Sequence, residues 1–294
     1  MCLKNGNTCL RSVYETLTGV TSWSAPTVTH VIPGDTGVHA VTSLDDKVYV
    51  VRHKKKEVEI YDAAMTLARR LPVPGISDCA SGIAACSRNK CLYLSDWNGP
   101  IIHRVDLATD EAKKWPVATK PVGLSVNRDH NVLVACLTDN KLQEYTTDGR
   151  LVREVCLAVG VSAPWHAIQL STGDYVVSHW LSPGMVSVVG VDKGLLRSYV
   201  PSRSSTVGVG PMKDPRSLVV TKLGNILVAD EGSNRILAIN SSLTHAQMFP
   251  IPADVELEAP RALYLDESRD RLYIGEWGGE FRVIVLHNSS YISW

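Results

Sequence analysis

The sequence lacks several features that mark common functional classes. The 30 Lys and Arg residues are balanced by 30 Asp and Glu residues, so the formal net charge is zero and the chain has no overall attraction to nucleic acid. No apolar run approaches the roughly 20 residues that span a bilayer, which predicts no membrane partner. Residues 1–26 contain no apolar core typical of a signal peptide, and no GxSxG or phosphate-binding loop is present. These absences favour a cytoplasmic location.

The cysteines do not predict a disulfide framework. There are seven of them, an odd number, and none forms a CxxC pair. Cys86 and Cys91 flank a turn at residues 87–90, and we expect them to lie opposite each other on a hairpin. We interpret the cysteines as reduced core thiols of a cytosolic protein. Whether Cys86 and Cys91 form a disulfide is left open.

The sequence contains an internal repeat. Residues 215–240 read as three short strands with two turns, and this pattern recurs six times, with a fourth strand in the first five copies. Each copy opens with a small residue followed by an apolar one, at spacings of 41 to 50 residues. The small residues are Ala40, Gly82, Gly123, Ala167, Ser217 and Ala262. Units of this length predict an all-β fold, a six-bladed β-propeller of four-stranded blades.

The two ends of the repeat array predict how the ring closes. The sixth copy stops soon after its third strand, and residues 27–34 resemble a fourth strand placed before the first copy. We therefore expect this N-terminal strand to complete the last blade, which leaves no unpaired edge at the seam. The predicted organisation is a tail or linker remnant over residues 1–26 and a propeller over residues 27–294.

The stretch ILVADEGSNRILAI in the fifth copy resembles the NHL repeat, which has an Asp after the second strand and Asn-Arg-Ile at the start of the third. These residues are Asp230, Asn234, Arg235 and Ile236, while the second copy keeps Asp96 and is partly similar to the YWTD repeat. The resemblance implies a six-bladed propeller of the kind found at the C-terminus of TRIM-type ubiquitin ligases, where it binds RNA or protein. No RING, B-box or coiled-coil segment is present, and whether the chain is a fragment of a longer TRIM-like protein is left open.

Alignment of the copies places polar and aromatic residues in three rings on one face of the propeller. The positions before the small residues are His39, Ser81, Val122, His166, Arg216 and Arg261. The positions that end the second strands are Arg52, Asp96, Cys136, His179, Asp230 and Glu276. The positions that follow them are His53, Trp97, Leu137, Trp180, Glu231 and Trp277.

The first ring is expected to surround the mouth of an axial channel. Arg216 and Arg261 would be neighbours and would point fixed donors at a carboxylate or phosphate. His39 and His166 would face each other, and His179 could complete a site for zinc, with calcium as a further option. The segment PWHAI looks similar to the Pro-His segment through which peptidyl-hydroxyglycine lyases, which share this propeller, bind zinc. The alternative is that these polar residues only solvate the channel.

The third ring contains three tryptophans on alternate blades, Trp97, Trp180 and Trp277, and Trp165 lies beside the first ring. Exposed tryptophan is typical of binding interfaces, but packing between adjacent loops is an equal alternative. In the second ring, we interpret the Asp residues as structural acceptors of loop amides and leave Glu276 open between that role and binding.

One basic run follows Arg52 and contains Lys54, Lys55 and Lys56, which form a possible nucleic-acid patch. Acidic residues on the same face weaken such a patch and favour a protein or peptide partner. We therefore predict a non-catalytic interaction module without a cofactor that binds its partner at the loop face. The alternatives are an RNA-binding propeller of the TRIM-NHL type and a metal-dependent lyase or hydrolase with an axial site.

Overall fold

The structure, a computed structural model, describes residues 26–78, 80–117, 119–180, 184–192, 194–199 and 209–287. The predicted tail lies outside these residues apart from Pro26. The described residues form 24 strands in six four-stranded antiparallel sheets, with one short 3-10 helix at Glu231–Ser233. The prediction of an all-β, six-bladed propeller is confirmed. None of the described residues belongs to a helix long and apolar enough to cross a membrane.

Each of the first five blades consists of four consecutive strands that run from the channel outward. Blades one and two are β2 (Val38–Leu44), β3 (Lys47–Arg52), β4 (Glu57–Tyr61), β5 (Leu67–Pro72), β6 (Ala80–Cys86), β7 (Cys91–Asp96), β8 (Ile101–Asp106) and β9 (Ala112–Pro116). Blades three and four are β10 (Pro121–Val126), β11 (Val132–Cys136), β12 (Lys141–Tyr145), β13 (Leu151–Cys156), β14 (Pro164–Gln169), β15 (Tyr175–His179), β16 (Met185–Gly190) and β17 (Gly194–Ser198). Blade five is β18 (Pro215–Val220), β19 (Ile226–Asp230), β20 (Arg235–Ile239) and β21 (Ala246–Met248).

The last blade is completed by the first strand of the chain, as the repeat pattern predicted. Blade six contains β22 (Pro260–Asp266), β23 (Arg271–Glu276) and β24 (Val283–His287), and its outer strand is β1 (Thr27–Ile32). Strand β1 pairs antiparallel with β24, with Thr27 opposite His287 and Ile32 opposite Val283. This pairing closes the ring non-covalently and protects the edge of β24.

The apolar core lies between the blades. One cluster of buried side chains fills each of the six interfaces between neighbouring blades. At the seam, for example, Val38 and Val41 of blade one pack with Tyr273 and Val283 of blade six. The second strands are covered on both faces by their neighbours, which explains why they are continuous apolar runs, whereas outer strands such as β5 and β13 are largely exposed.

Small residues recur in the inner strands because those strands converge on the channel. A Cβ on Gly82 would collide with the backbone oxygen of Val122 in the next blade. A Cβ on Gly123 would collide with the backbone oxygen of Trp165 and lie 2.7 Å from the imidazole of His166. Glycine therefore allows the inner strands of blades two to four to approach each other closely.

Candidate functional site

A β-bulge at the start of every inner strand defines the channel mouth. In each blade the register against the second strand shifts within the first four residues of the inner strand. Such a bulge adds one residue and turns its side chain away from the regular alternation. The second residues of the six inner strands, which lie in this irregular segment, are His39, Ser81, Val122, Trp165, Arg216 and Arg261.

The structure corrects the predicted alignment of blade four by one residue. His166 pairs with Ser178, as Ala40 pairs with Val51 in blade one, so His166 occupies the column of small residues and Trp165 occupies the mouth column. The sequence alignment had matched Ala167 to the small residues because it is the small residue of that segment. His39 and His166 therefore lie in different rings and are not in register across the channel.

His166 connects three inner strands. Its Nε2 lies 3.1 Å from the backbone oxygen of Leu124 in β10, and its Nδ1 accepts a hydrogen bond of 3.2 Å from the backbone N–H of Leu218 in β18. A carbonyl only accepts and an amide only donates, so the proton lies on Nε2 and the ring is neutral. Burial lowers the pKa of His166, which is consistent with a neutral structural imidazole.

His39 belongs to an aromatic cluster between blades one and six. Its Nε2 lies 3.3 Å from Nδ1 of His53, and its ring centroid lies 4.7 Å from that of Trp277. Burial, followed by the positive charges of Arg261, His53 and Arg216, lowers the pKa of His39 to about 3. His39 is therefore neutral at physiological pH.

His179 is separate from both of these histidines. It is fully buried inside blade four, where its Nε2 lies 2.9 Å from Oγ of Ser187, and burial lowers its pKa to about 4. The three imidazoles proposed for a metal thus have three different sets of partners. Within the described residues, no group of three or more His, Cys, Asp or Glu side chains is arranged to hold a metal ion.

Two arginines and two tryptophans from blades four to six contact each other at the mouth. The guanidinium carbon of Arg216 lies 3.8 Å from the ring centroid of Trp165. That of Arg261 lies between the two indoles, 4.3 Å from the centroid of Trp277 and 5.1 Å from that of Trp165. Cation–π contacts of this kind fix the direction in which a guanidinium presents its N–H groups. The prediction that Arg216 and Arg261 are neighbours agrees with this geometry.

Two carboxylates neutralise this arginine pair. Asp214 Oδ2 lies 2.6 Å from Nη2 of Arg216, and Glu231 Oε2 lies 3.0 Å from Nε of Arg216 and 3.6 Å from Nη1 of Arg261. Burial raises the pKa of Asp214 and of Glu231, and the two guanidiniums partly offset that shift. The cluster is therefore not a simple anion site at its rim.

The three tryptophans of the third ring have different environments. Trp97 contacts Trp165, and Lys120 Nζ lies 3.6 Å from its centroid. Trp277 packs against His39, His53 and Arg261. The side chain of Trp180 is 53% exposed. Loop packing therefore accounts for two of these residues, and Trp180 presents its indole to solvent.

The acidic residues at the ends of second strands hold the loops that lead into the inner strands. Asp230 accepts hydrogen bonds of 2.9 Å from the backbone N–H groups of Lys213 and Asp214 and pairs with Arg235 at 2.9 Å. Asp96 accepts from the backbone N–H of Ser77 at 2.9 Å. The structural interpretation of Asp96 and Asp230 agrees with these contacts.

Glu276 has the same structural position in blade six. It is fully buried, accepts a 2.9 Å hydrogen bond from the backbone N–H of Glu258 and pairs with Arg282 at 2.6 Å. The structure therefore places it away from solvent, although the sequence had made it a candidate for binding. A buried carboxylate is stable here because each oxygen has a partner.

Arg52 lies in the seam of the ring and not on the loop surface for which the sequence had made it a candidate. Its side chain is 1% exposed and forms a 2.6 Å ion pair with Glu59. Its guanidinium also donates to the backbone oxygens of Pro33, Thr36 and Phe281, at 3.2, 3.1 and 2.7 Å. Arg52 thus connects blade one to the segments that enter and leave the closing strand.

The basic run after Arg52 is only partly available to a partner. Lys54 and Lys56 are exposed, whereas Lys55 forms a 2.7 Å ion pair with Asp35.

The positions of Cys86 and Cys91 agree with the predicted hairpin. The two residues pair in register, and both are buried free thiols. Burial raises the pKa of Cys91, which makes it a poor nucleophile.

Sequence reasoning had left His53, Lys120, Asp214 and Glu231 out of the candidate site. His53 and Glu231 share the repeat position of the three tryptophans, so the alignment contained a signal for them. Lys120 and Asp214 immediately precede inner strands and reach the mouth through loop geometry that no repeat position encodes.

The mouth leads into an axial cavity of about 280 Å³ that is lined by the inner strands.

Comparisons with known proteins identify the fold and no family. No protein-family model matches the chain, and no curated protein matches its sequence. Virginiamycin B lyase from Staphylococcus aureus is similar in structure, with a TM-score of 0.65, 13% identity and coverage of 88% of this chain and 98% of that chain. The WD40 β-propeller domain of Doa1 has a TM-score of 0.62, 13% identity and coverage of 92% and 99%. At these identities the likeness shows the propeller fold alone.

Proposed function

We propose that this propeller is an interaction module that binds a protein or peptide partner through the loop face of blade four, beside the channel mouth. The carrying observation is the 53% exposed side chain of Trp180 at the end of β15. An exposed indole supplies a large contact area with few rotatable bonds, which is why tryptophan is enriched among the residues that dominate binding energy.

A second apolar side chain on the same face of blade four supports the proposal. Val159, in the loop before β14, is fully exposed, and the backbone of that loop bonds to Trp180 through the carbonyl of Ala163. Exposed apolar side chains on two connected loops fit a protein interface, whose core is more apolar than its rim.

The WD40 and lyase neighbours have the same fold, so the choice between binding and catalysis rests on the site. The separate partners of His39, His166 and His179 weigh against a three-histidine metal centre. The ion pair of Lys55 and the zero net charge weigh against RNA as the main partner. The reduced thiols and the resemblance to NHL repeats fit a cytoplasmic propeller of the TRIM-NHL type, which is part of the proposal.

The test is a selection of peptides from a random display library on the immobilised protein, followed by affinity measurement. We expect Trp180→Ala to weaken the selected peptides at least tenfold because truncation removes the exposed indole. The matched control is Leu223→Ala, since Leu223 is 58% exposed in the turn between β18 and β19 on the opposite face.

Equal effects of the two substitutions would contradict the proposed surface. Failure to select any peptide, together with salt-sensitive RNA binding that Lys54→Glu and Lys56→Glu abolish, would replace the proposal with the RNA-binding alternative.

A further inference from the structure

The axial cavity changes character along its length. Because all six inner strands start at the same mouth, His39, Trp165 and Arg261 line one end of the cavity. Towards the ends of the inner strands the lining includes the apolar side chains of Val126, Ile168, Val220 and Leu265, together with Thr42, Ser125 and Tyr264. The volume of about 280 Å³ is that of roughly nine water molecules and lies near the lower end of the range for ligand pockets.

The electrostatic character of the polar end comes from Arg261. The carboxylates at the rim are closest to Arg216, which lies 2.6 Å from Asp214 and 3.0 Å from Glu231, whereas Arg261 lies 3.6 Å from Glu231. Of these residues only Arg261 lines the cavity. Arg261 therefore presents a charged guanidinium to the cavity, whereas Asp214 and Glu231 remain at the rim.

The guanidinium of Arg261 is preorganised. It is held between Trp277, at 4.3 Å from the centroid, and Trp165, at 5.1 Å. A guanidinium held in one plane binds a carboxylate with less loss of side-chain freedom than a mobile one. A phosphate dianion at Arg261 fits less well, because its second negative charge would lie near the carboxylates of Asp214 and Glu231.

We propose that the axial cavity binds a compact apolar carboxylic acid, with its carboxylate at Arg261 and its apolar body against Val126, Ile168, Val220 and Leu265. Two sources share this chemistry: a free short-chain acid, and the C-terminal residue of a protein partner with an apolar side chain. The inference deepens the proposed function. Only the second source, the C-terminal residue of a protein partner, rests on that function.

The first test uses hexanoate, which has eight non-hydrogen atoms, and its neutral isostere hexanamide as probes in calorimetric titrations of the wild-type protein. We expect hexanoate to bind at least tenfold more tightly than hexanamide, and inorganic phosphate not to compete. Equal affinity of the two probes, competition by phosphate, or no saturable hexanoate binding up to about 20 mM would overturn the inference.

The second test locates the site. Arg261→Gln should weaken hexanoate binding at least tenfold, whereas Arg197→Gln, on the exposed outer strand β17, should change it less than twofold. Val126→Phe should abolish binding by filling the apolar end, and a retained thermal unfolding transition shows that each variant is folded. Unchanged binding in both cavity variants would contradict the assignment, and if Arg261→Gln does not fold, Val126→Phe and the probe pair still decide it.

The third test separates the two sources. A peptide that ends in Leu with a free C-terminus is compared with its C-terminally amidated form. A tenfold preference for the free carboxylate assigns the site to a partner's C-terminus, and hexanoate binding without peptide binding assigns it to a small molecule. Loss of hexanoate binding with intact peptide capture at Trp180 contradicts only the cavity inference; the reverse result contradicts only the proposed function.

Discussion

Blades four and five have the same strand plan but use equivalent positions differently. At the end of the second strand, Asp230 of blade five accepts hydrogen bonds from two loop amides and pairs with Arg235, whereas His179 of blade four contacts Ser187 inside its own blade. The next residue is Glu231 in blade five, held by two guanidiniums, and Trp180 in blade four, exposed to solvent. In blade five both the carboxylate and the side chain that follows it are held, whereas in blade four, where histidine replaces the carboxylate, the side chain that follows it is exposed.

The largest expected effect comes from removing the carboxylate in blade five. Asp230→Ala removes the carboxylate partner of Arg235 and the acceptor of two backbone amides, so we expect a loss of about 3–5 kcal/mol in the free energy of unfolding. Urea denaturation measures it, with Asp129→Ala in an exposed turn as control, expected to change stability by less than about 0.5 kcal/mol. Equal effects of the two substitutions would remove the structural contrast between the blades.

A smaller effect on stability is expected from His179 in blade four when the pH is lowered. Burial lowers the pKa of His179 to about 4 from 6.5, so the unfolded chain binds more protons between these values. The contribution of neutral His179 to the free energy of unfolding is therefore fully present well above pH 6.5 and is lost as the pH falls. At pH 5 the loss from this group is about 2 kcal/mol. Urea denaturation of His179→Gln should show a drop between about pH 7.5 and pH 5 that is about 2 kcal/mol smaller than that of wild type. An equal drop in both proteins would contradict the assigned burial.

The smallest stability effect is expected from His166 of blade four, which bonds to the inner strands of blades three and five. His166→Ala removes the partner of Leu124 O and of Leu218 N–H, and because water in the channel can replace part of this bonding we expect a loss of about 1–2 kcal/mol. His245→Ala, at an exposed position in blade five, is the control and should change stability by less than about 0.5 kcal/mol. A destabilisation no larger than that of the control would show that the inner strands do not depend on His166.

The fold was predictable because its information is periodic. Apolar runs at a spacing of 41 to 50 residues, small residues where strands converge, an extra strand before the first copy and a missing fourth strand in the last are enough to predict six blades and the closing strand. The structural role of Asp230 with Arg235 was also predictable, since both residues lie at the ends of adjacent strands in one hairpin.

The mouth was less predictable because a bulge shifts the residues that point into it. In blade four both Trp165 and His166 precede Ala167, and only the ladder to β15 shows which of them occupies the mouth position. The contacts of Trp277 with His39 and His53 cross the seam between the two ends of the chain, where no sequence neighbour indicates them. Arg52 was misplaced for a similar reason, because the carbonyls that it binds belong to the closing segments.

Hydroxyl-radical footprinting of the tryptophans, with and without a selected peptide, tests the central claim most directly. We predict that Trp180 is labelled fastest of the three tryptophans at its repeat position in the free protein, because it alone of Trp97, Trp180 and Trp277 is exposed. We also predict that the peptide protects Trp180 while labelling of Trp97 and Trp277 stays unchanged. Faster labelling of Trp97 or Trp277, or peptide binding that leaves Trp180 fully reactive, would contradict the account.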